Sequence, residues 1–335
     1  MNDIAVVILN YNGKKYLELF LPTLIKYSQG SRIIVADNKS TDDSLEYLRN
    51  NFSDIELIVL EKNHGYAGGY NEALKQIDSK YFLLVNSDIE VTPNWIEPLH
   101  KLLESDKNIV SVQPKILSYN NKNFFEHAGA AGGYMDWLGY PFCRGRIFDI
   151  TEEDKGQYDQ REKIFWTTGA CFLIRSHSFF EAGMFDSDFF AHMEEIDLCW
   201  RLNASGKHLY CEPASVVYHV GGGTLAASNP WKTELNFRNG LVMLLKNLPL
   251  VQLLYKLPLR SILDFSASIK FLVDGKPGHS IAVIKAYKQF LLTIRKSIAK
   301  RRKLREKTNY STFKFANKSM VWEHFIKGKK KFSEL

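Results

Sequence analysis

The sequence predicts an α/β protein whose mostly parallel sheet is flanked by helices, followed by a helical and basic C-terminal region. Three observations lead to this prediction. Apolar runs typical of buried strands alternate with helical periodicity through the first hundred residues. Asn or Asp follows each of four successive strands. Residues 1–235 hold 22 Lys/Arg and 32 Asp/Glu, whereas residues 236–335 hold 22 and 5. We therefore expect an acidic domain over 1–235 and a basic helical region over 236–335.

The first seven elements are predicted in the order βαβαβαβ, which is typical of a parallel sheet. Strands are expected at Ile4–Leu9, Arg32–Ala36, Ile55–Leu60 and Tyr81–Val85, with helices at Lys14–Tyr27, Thr41–Asn50 and Tyr66–Ile77. Ser40 is a candidate cap for the second helix. Residues 115–160 are rich in Gly, Asn and aromatic residues and are expected to be irregular. A strand over Phe165–Arg175, a helix over Ile196–Leu202 and a short strand at Val216–His219 complete the domain.

Composition narrows the class of protein. Four cysteines without a C-x-x-C pair, in mostly apolar surroundings, favour reduced structural thiols in a cytosolic protein: Cys143, Cys171, Cys199 and Cys211. The N-terminus enters an apolar strand without a basic segment, so no signal peptide is predicted. No uncharged apolar run approaches the roughly 20 residues that span a bilayer.

Polar side chains follow the four predicted strands where each one ends. They are Asn10 and Asn12, then Asp37 and Asn38, then Asn63, and finally Asn86 and Asp88. Ligands of parallel α/β sheets bind beyond the carboxyl ends of the strands, so these side chains are expected to line one ligand site. Asn and Asp are also common in simple turns and caps, which is the alternative for each motif taken alone.

The segment Asn63–Asn71 opens a helix and contains three glycines. Glycine permits close backbone approach, and a helix N-terminus favours phosphate, although an ordinary turn explains the same residues. The spacing matches neither G-x-G-x-x-G nor a Walker A loop, so neither a dinucleotide fold nor an ATPase is supported.

Two further motifs carry titratable groups. Glu194, Glu195 and Asp197 precede an apolar and aromatic helix, where one could act as a general base because neighbouring acids raise its pKa. Acids at a helix start are also favoured by the helix dipole. Asp88 suits a hard divalent cation, and His219, at a strand end, is either a metal ligand or a structural histidine.

Together the motifs resemble the inverting family-2 glycosyltransferases of GT-A fold, within them the rhamnosyltransferase-like branch. The resemblance covers roughly residues 4–225 and is carried by Val6–Gly13, Asp37–Asn38, Asn63–Asn71, Asn86–Asp88, Gly169–Arg175, Gly183–Asp186, Glu194–Arg201 and Tyr218–Gly222. It implies transfer of a sugar from a nucleotide-diphosphate donor to a hydroxyl of a glycan or lipid-linked glycan, with inversion, in cell-surface polysaccharide synthesis. dTDP-rhamnose is the favoured donor, and UDP-sugars remain open.

The resemblance also implies roles for single residues. Asn10, Asn12 and Asp37 would line the nucleoside pocket, and Asn63, Gly65, Asn71 and Asn86 would adjoin the rest of the donor. Asp88 matches the last acid of a D-x-D motif that binds Mg²⁺ or Mn²⁺, and His219 matches a histidine that completes this site in some members. Glu195 matches the catalytic aspartate, with Glu194 as the alternative base. Trp166 and Gly169 would lie on the acceptor side.

Two departures from the family pattern leave an alternative function open. Asn86 replaces the first Asp of D-x-D and Glu195 replaces Asp, so a catalytically weak scaffold of the same fold is an alternative.

The C-terminal region allows several interpretations. Its apolar stretches suggest helices lying on the inner face of the cell membrane with basic residues toward anionic headgroups, because each stretch is broken by Lys or Arg: Lys246, Lys256, Arg260, Lys285, Lys288 and Arg295. The other outcome is that these helices pack on the body. Nucleic-acid binding through Lys300–Lys303 and Lys329–Lys331 is a third function class, but it leaves the strand-end motifs unexplained.

Overall fold

A computed structural model describes residues 3–221, 228–307 and 315–335. Gly222 and Gly223, which close the last motif of the resemblance, lie outside the described residues. The first half of the chain forms β1 (Ile4–Asn10), α1 (Lys14–Tyr27), β2 (Arg32–Asp37), α2 (Ser44–Asn51), β3 (Glu56–Val59), α3 (Gly65–Leu74), β4 (Tyr81–Asn86), β5 (Ile89–Val91), α4 (Ile96–Ser105) and β6 (Ile109–Ser118).

Small antiparallel strands and the second half of the main sheet follow. They are β7 (Gly133–Met135), β8 (Pro141–Cys143), β9 (Arg146–Ile147), β10 (Ile150–Thr151), β11 (Glu162–Ile164), β12 (Cys171–Arg175), α5 (Ser176–Glu181), α6 (Glu194–Ala204) and β13 (His208–His219). Three long helices come next: α7 (Pro230–Asn247), α8 (Leu250–Val273) and α9 (Pro277–Lys307). A single π-helical turn at Trp322–Ile326 lies near the C-terminus.

The main sheet has the strand order β11-β13-β6-β12-β4-β1-β2-β3, with β5 also paired to β13. Strands β3, β2, β1 and β4 are parallel, and β12 runs antiparallel between β4 and β6. Strand β6 is parallel to β13. The central strand β1 is buried on both faces, as its continuous apolar run requires. The predicted α/β class with a mostly parallel sheet is confirmed, and the carboxyl ends of β1, β2 and β4 meet at one edge.

Helix α1 has its predicted bounds because Leu17, Leu21 and Leu24 recur at helical spacing and all are buried. Helix α2 begins later than predicted, at Ser44, so Ser40 is not its cap. The Ser40 hydroxyl instead accepts hydrogen bonds from Asn10 Nδ2 at 3.1 Å and from the Asn12 amide at 2.9 Å. Ser40 therefore links the ends of β1 and β2 through these hydrogen bonds.

Helix α7 shares a hydrophobic core with the sheet. Leu241, Met243 and Leu244 are fully buried in the apolar cluster that also contains Phe172 and Ile174 of β12. All four cysteines of the chain are buried free thiols. The first C-terminal helix is thus packed against the α/β body.

The expected orientation of three basic residues is wrong. Lys246, Lys256 and Arg260 were expected to face lipid headgroups, but each is at most 5% exposed. Lys246 lies in ion pairs with Asp186 and Asp197, at 2.5 and 3.0 Å. A long cation inside the fold is tolerated because a buried carboxylate compensates its charge.

Helix α8 buries its other charges in the same way. Arg260 pairs with Asp264 at 2.9 Å and lies over the ring of Tyr140. Lys256 lies over the ring of Phe315. By contrast Lys285 and Lys288 of α9 are exposed. Among the described residues, none of the helices combines the length and the apolar character needed to cross a membrane.

The basic run from Arg295 is partly engaged with the body. Lys296 and Lys300 pair with Asp188, and Lys300 also pairs with Asp186. Arg301 Nη1 donates to the carbonyl of Leu245 at 2.6 Å. These contacts fix α9 on the body, whereas Arg302 and Lys303 are exposed to solvent.

Candidate active site

The ends of β1 and β2 form a buried polar network. Asn10 Nδ2 donates to Asp37 Oδ2 at 3.0 Å, and the Ser40 amide donates to Asp37 Oδ1 at 2.9 Å. Asn10 and Asp37 are both fully buried. Asn10 Oδ1 is buried without a hydrogen-bond partner. A Cβ on Gly13 would lie 2.5 Å from this oxygen, so a larger residue there would displace the Asn10 side chain.

Asn12 and Asn63 extend this network outward. Asn12 has φ 53°, and its Oδ1 accepts from the Thr41 amide at 2.7 Å. Asn38 Nδ2 donates to Asn63 Oδ1 at 3.1 Å, while Asn38 Oδ1 accepts from the His64 amide. The structure thus connects the polar ends of three neighbouring strands. The side chain of Asn38, which the sequence placed with Asp37 among the strand-end residues, links the end of β2 to the end of β3.

Helix α3 begins against the segment that precedes the glutamates. Gly65 has φ 69°, and a Cβ there would lie 2.6 Å from the ring and the carbonyl of Phe190. Asn71 is buried, donates to the carbonyl of Phe185 at 2.9 Å and accepts from its amide at 3.1 Å. Both hydrogen-bonding groups of the Asn71 side chain are therefore engaged with protein backbone.

Three titratable side chains form a row: Asp88 after β4, Glu126 in the segment between β6 and β7, and His219 at the end of β13. Asp88 Oδ1 lies 3.2 Å from His219 Nε2, and Glu126 Oε2 lies 3.0 Å from His219 Nδ1. All three residues are buried. Burial lowers the pKa of His219, but Asp88 and Glu126 more than offset it and raise the pKa to about 10. Glu126 was not expected from the sequence, because it lies in the irregular region and belongs to no motif.

A divalent cation here would have to displace a proton of His219 and share its coordination shell with a ligand, because the imidazole lies between two carboxylates that raise its pKa to about 10. Carboxylate oxygen and imidazole nitrogen are ordinary donors to Mn²⁺, and adjacent ligands of an octahedral ion lie about 3 Å apart, close to the Asp88–His219 separation. Within residues 3–221, 228–307 and 315–335, no group of three His, Cys, Asp or Glu side chains is arranged to hold a metal ion by itself. An ion here would need further ligands from a diphosphate or water. Asn86 at the end of β4 is partly exposed.

Glu194 and Glu195 begin helix α6 beside β12. A Cβ on Gly169 would lie 3.7 Å from Glu195 Cδ and 3.1 Å from the hydroxyl of Tyr66. Tyr66 donates to the carbonyl of Gly169 at 2.5 Å. Glu194 Oε2 and Glu195 Oε2 are both buried without a hydrogen-bond partner. Gly169 and Glu195 are therefore neighbours, and Tyr66 is a third member of this group.

The surroundings raise the pKa values of both glutamates. Burial raises the pKa of Glu195 to about 7, although backbone amides, including that of Gly169, act in the opposite direction. Burial, then the charges of Glu195 and Asp197, raise the pKa of Glu194 well above its ordinary value. The sequence argument attributed the raised pKa to neighbouring acids, but the larger cause is burial. Burial therefore favours the neutral form of Glu194, whereas the pKa of Glu195 lies in the range where a carboxyl can exchange a proton near neutral pH.

The segment leading into these glutamates is strained and is held by α7. Phe190, His192 and Met193 have positive φ values of 64°, 68° and 71°. Asn239 is fully buried, and its Nδ2 lies 3.0, 2.9 and 2.7 Å from the carbonyl oxygens of Phe189, Ala191 and His192. One side-chain amide on α7 thus contacts three backbone carbonyls within four residues, just before the glutamates. Sequence analysis missed this contact, because it joins positions about 50 residues apart.

Trp166, expected on the acceptor side, is 4% exposed. Its Nε1 donates to the carbonyl of Tyr134 at 2.8 Å. A Cβ on Gly133 would lie 2.1 Å from the indole, so the ring is stacked on glycine backbone. Of the two acceptor-side residues, Gly169 lies beside Glu195, and Trp166 packs in the core.

Comparisons with known proteins identify the family of the chain. The family model described as "Glycosyl transferase family 2" matches residues 5–181. The N-acetylglucosaminyl-diphospho-decaprenol L-rhamnosyltransferase of Mycobacterium tuberculosis is 24% identical over 242 residues, covering 67% of this chain and 78% of the relative.

Two solved structures show the same fold. TarS 1–349 of S. aureus, in complex with UDP, aligns with TM-score 0.56 and 17% identity over 98% of this chain and 92% of the other. The mannosyltransferase PcManGT of Pyrobaculum calidifontis, in complex with GDP-Man and Mn²⁺, aligns with TM-score 0.53 and 12% identity over 91% and 85%.

Proposed function

Because the chain belongs to glycosyl transferase family 2, we propose that it moves a hexose, with rhamnose the first candidate, from a nucleotide-diphosphate sugar to a glycan hydroxyl with inversion of the anomeric configuration. One relative of this chain is named as a rhamnosyltransferase whose acceptor is a diphospho-decaprenol-linked sugar. The acceptor proposed here is a glycan or lipid-linked glycan in cell-surface polysaccharide synthesis.

One observation carries the mechanism: burial raises the pKa of Glu195 to about 7, and its buried Oε2 has no hydrogen-bond partner in the fold. A general base works best when its pKa lies near the working pH. Glu195 would accept the proton of the acceptor hydroxyl as the oxygen attacks the anomeric carbon. The leaving nucleoside diphosphate departs from the opposite face, which inverts the configuration. Burial raises the pKa of Glu194 and so disfavours a second negative charge at this point.

The donor would bind along the edge formed by β1, β2 and α3. The unpaired Asn10 Oδ1 would accept an N–H of the base or a ribose hydroxyl, since a buried acceptor without a partner is unfavourable. Asp37 would hold Asn10 in place through the 3.0 Å bond and would border the nucleoside. Asn12, Asn63, Gly65 and Asn86 would border the ribose and diphosphate.

Asp88 and His219 would hold a Mg²⁺ or Mn²⁺ ion, with Glu126 orienting the imidazole through its other nitrogen. When bound, the ion supplies positive charge next to the departing diphosphate. PcManGT was solved with GDP-Man and Mn²⁺. Asn86 lowers the negative charge beside Asp88 and leaves room for phosphate oxygens among the ligands.

The partner surface proposed for this enzyme is the anionic inner face of the cell membrane. Lys285, Lys288, Arg302 and Lys303 are exposed on α9 and would contact acidic headgroups. A lipid-linked acceptor would be found at the same surface.

The test starts from a panel of nucleotide sugars that includes dTDP-rhamnose and UDP- and GDP-hexoses. Thermal shift with Mn²⁺ identifies the donor, because a ligand that binds only the folded protein raises its melting temperature. Release of nucleoside diphosphate, with NMR of the anomeric centre, then measures transfer. The proposal requires one donor to be turned over with inversion; a protein that binds donors but turns none of them over is the inactive scaffold instead.

A further inference from the structure

Helix α8 has its polar and apolar faces reversed relative to a helix of a water-exposed protein. Its buried face carries Lys256, Arg260, Asp264 and Ser268. Its outer face carries large apolar side chains that are 41–73% exposed: Leu250, Val251, Leu254, Tyr255, Leu259, Ile262, Phe265 and Ile269. From Leu250 to Ile269 every charged side chain is buried.

This outer face is long and continuous. Twenty helical residues span about 30 Å, and the apolar side chains recur at spacings of three and four, which places them on one side. Monomeric soluble proteins rarely expose apolar patches larger than about 300–600 Å². An apolar face of this length therefore indicates a binding surface.

A groove widens this surface on one side. It has a volume of about 750 Å³ and lies between α8 and the π-helical turn. Leu259 and Ile262 line one wall, with Trp137 at its base and Trp322 and Phe325 on the other wall. Trp322 and Phe325 are 55% and 51% exposed, and amphipathic aromatic rings of this kind favour the boundary between headgroups and acyl chains.

We propose that the outer face of α8, with this groove, inserts into the acyl region of an anionic bilayer, so that the protein is anchored by apolar contact rather than by charge alone. The charge distribution favours a bilayer over a second copy of the chain. Residues 236–335 hold 22 Lys/Arg against 5 Asp/Glu, so two copies meeting through α8 would bring like charges together. Anionic lipids attract the same charges, and two lysines lie exposed near the end of α8: Lys270, which pairs with Asp274, and Lys276, just beyond the helix.

The inference deepens the proposed function by naming the surface and the mode of attachment. It places the anchor on α8, whereas the exposed cations of α9 add only a screened attraction to headgroups. Screening by salt separates the two contributions, because apolar insertion does not weaken at high ionic strength.

The first measurement is flotation of the full-length protein with vesicles of phosphatidylethanolamine and phosphatidylglycerol. Most binding should persist in about 0.5 M NaCl, where the Debye length falls to about 4 Å. Leu254→Glu should weaken partitioning at least about tenfold in high salt, since a charge replaces an inserted leucine. Leu19→Glu, at a 48% exposed position on α1, is the matched control and should bind as the wild type does.

A second measurement follows insertion directly. The native cysteines are all buried, so Ile262→Cys can be labelled selectively with an environment-sensitive fluorophore. Its emission should shift to the blue with vesicles, and Leu19→Cys should not respond. Folding of each variant is checked by circular dichroism.

Several results would overturn the proposal. Binding abolished by 0.5 M NaCl, or lost in Arg302→Glu/Lys303→Glu but not in Leu254→Glu, would make the attachment electrostatic. A dimer by light scattering that Leu254→Glu converts to a monomer, without vesicle binding by the wild type, would make the face a self-interface. Leu254→Glu should keep wild-type turnover with a water-soluble acceptor. A wild type that binds vesicles but transfers no sugar would count against the proposed function alone and not against the anchor.

Discussion

Replacing Glu195 by Gln tests the central step of the mechanism. The substitution keeps the shape of the side chain and removes the group that accepts a proton. Loss of a general base lowers turnover by roughly 10²–10⁴-fold. Donor binding should not change, because Asn10, Asp37 and Asp88 lie on other elements. We therefore expect kcat to fall while the donor-induced thermal shift stays at its wild-type value.

The pKa of Glu195 predicts how strongly kcat/KM depends on pH. Burial raises the pKa of Glu195 to about 7. One unit below the pKa about a tenth of the carboxyl groups are ionised, and one unit above it about nine tenths are. The wild-type kcat/KM should thus rise about tenfold from pH 6 to pH 8, and the residual activity of Glu195→Gln should lack this rise.

Glu194→Gln is the matched control, one residue away on the same helix. Burial raises the pKa of Glu194 well above its ordinary value, so glutamine resembles the neutral form that burial favours, and turnover should fall less than about tenfold. The assay is release of nucleoside diphosphate at saturating donor, across the pH range, for all three proteins. Near-normal turnover in Glu195→Gln beside an inactive Glu194→Gln would assign the base to Glu194. Activity in both variants would refute a glutamate base altogether.

Three further outcomes are expected. Glu195→Gln should stabilise the fold above pH 7. The pKa of the carboxyl is near 4.5 in the unfolded chain and about 7 in the folded protein, so the wild-type free energy of unfolding falls as pH rises through this window, by about 3 kcal/mol in total. Denaturation of both proteins at pH 8 and pH 5 should show a smaller difference in stability at the lower pH. Asp88→Asn should remove most turnover, and excess EDTA should inhibit the wild type until Mn²⁺ is restored; full activity in EDTA would exclude a metal role for Asp88. Asn239→Ala should cost about 1–3 kcal/mol and lower kcat more than it raises the donor KM, because three backbone carbonyls before the glutamates lose their donor. Asn229→Ala, which removes only the cap of α7, is the control. It should destabilise the protein by about 1 kcal/mol without lowering kcat more than it raises the donor KM.

The parallel half of the sheet could be predicted because local pattern determines it. Ile4–Leu9 and Tyr81–Val85 are continuous apolar runs, and a strand buried on both faces requires such a run. The strand ends could be predicted for the same reason, since the polar residues after each run must lie at one edge of a parallel sheet. Asn10 and Asp37 do meet there.

The contacts that sequence reasoning missed join distant positions. Glu126 reaches His219 across 93 residues, and Asn239 reaches the segment before Glu194 across about 50. Nothing in the local pattern around Glu126 or Asn239 distinguishes them from surface polar residues. Helix α8 was predicted with the wrong face outward, because Lys and Arg are assumed to seek water. Burial of Arg260 depends on Asp264 and on the ring of Tyr140, which belongs to another element.

The ion pair between Lys246 and Asp197 has a consequence for the order in which this enzyme is made. Asp197 lies in the helix of Glu194 and Glu195 and is fully buried, as is its partner on α7. Until the ribosome has released residue 246, Asp197 is paired only within its own helix, with Arg201, and the segment before Glu194 lacks the amide of Asn239. The nascent chain can therefore complete its main sheet early, while the segment before the two glutamates gains these contacts only after α7 emerges. A chain that ended between residues 219 and 229 would contain the whole main sheet and both glutamates but would lack the contacts of Asn239 and Lys246.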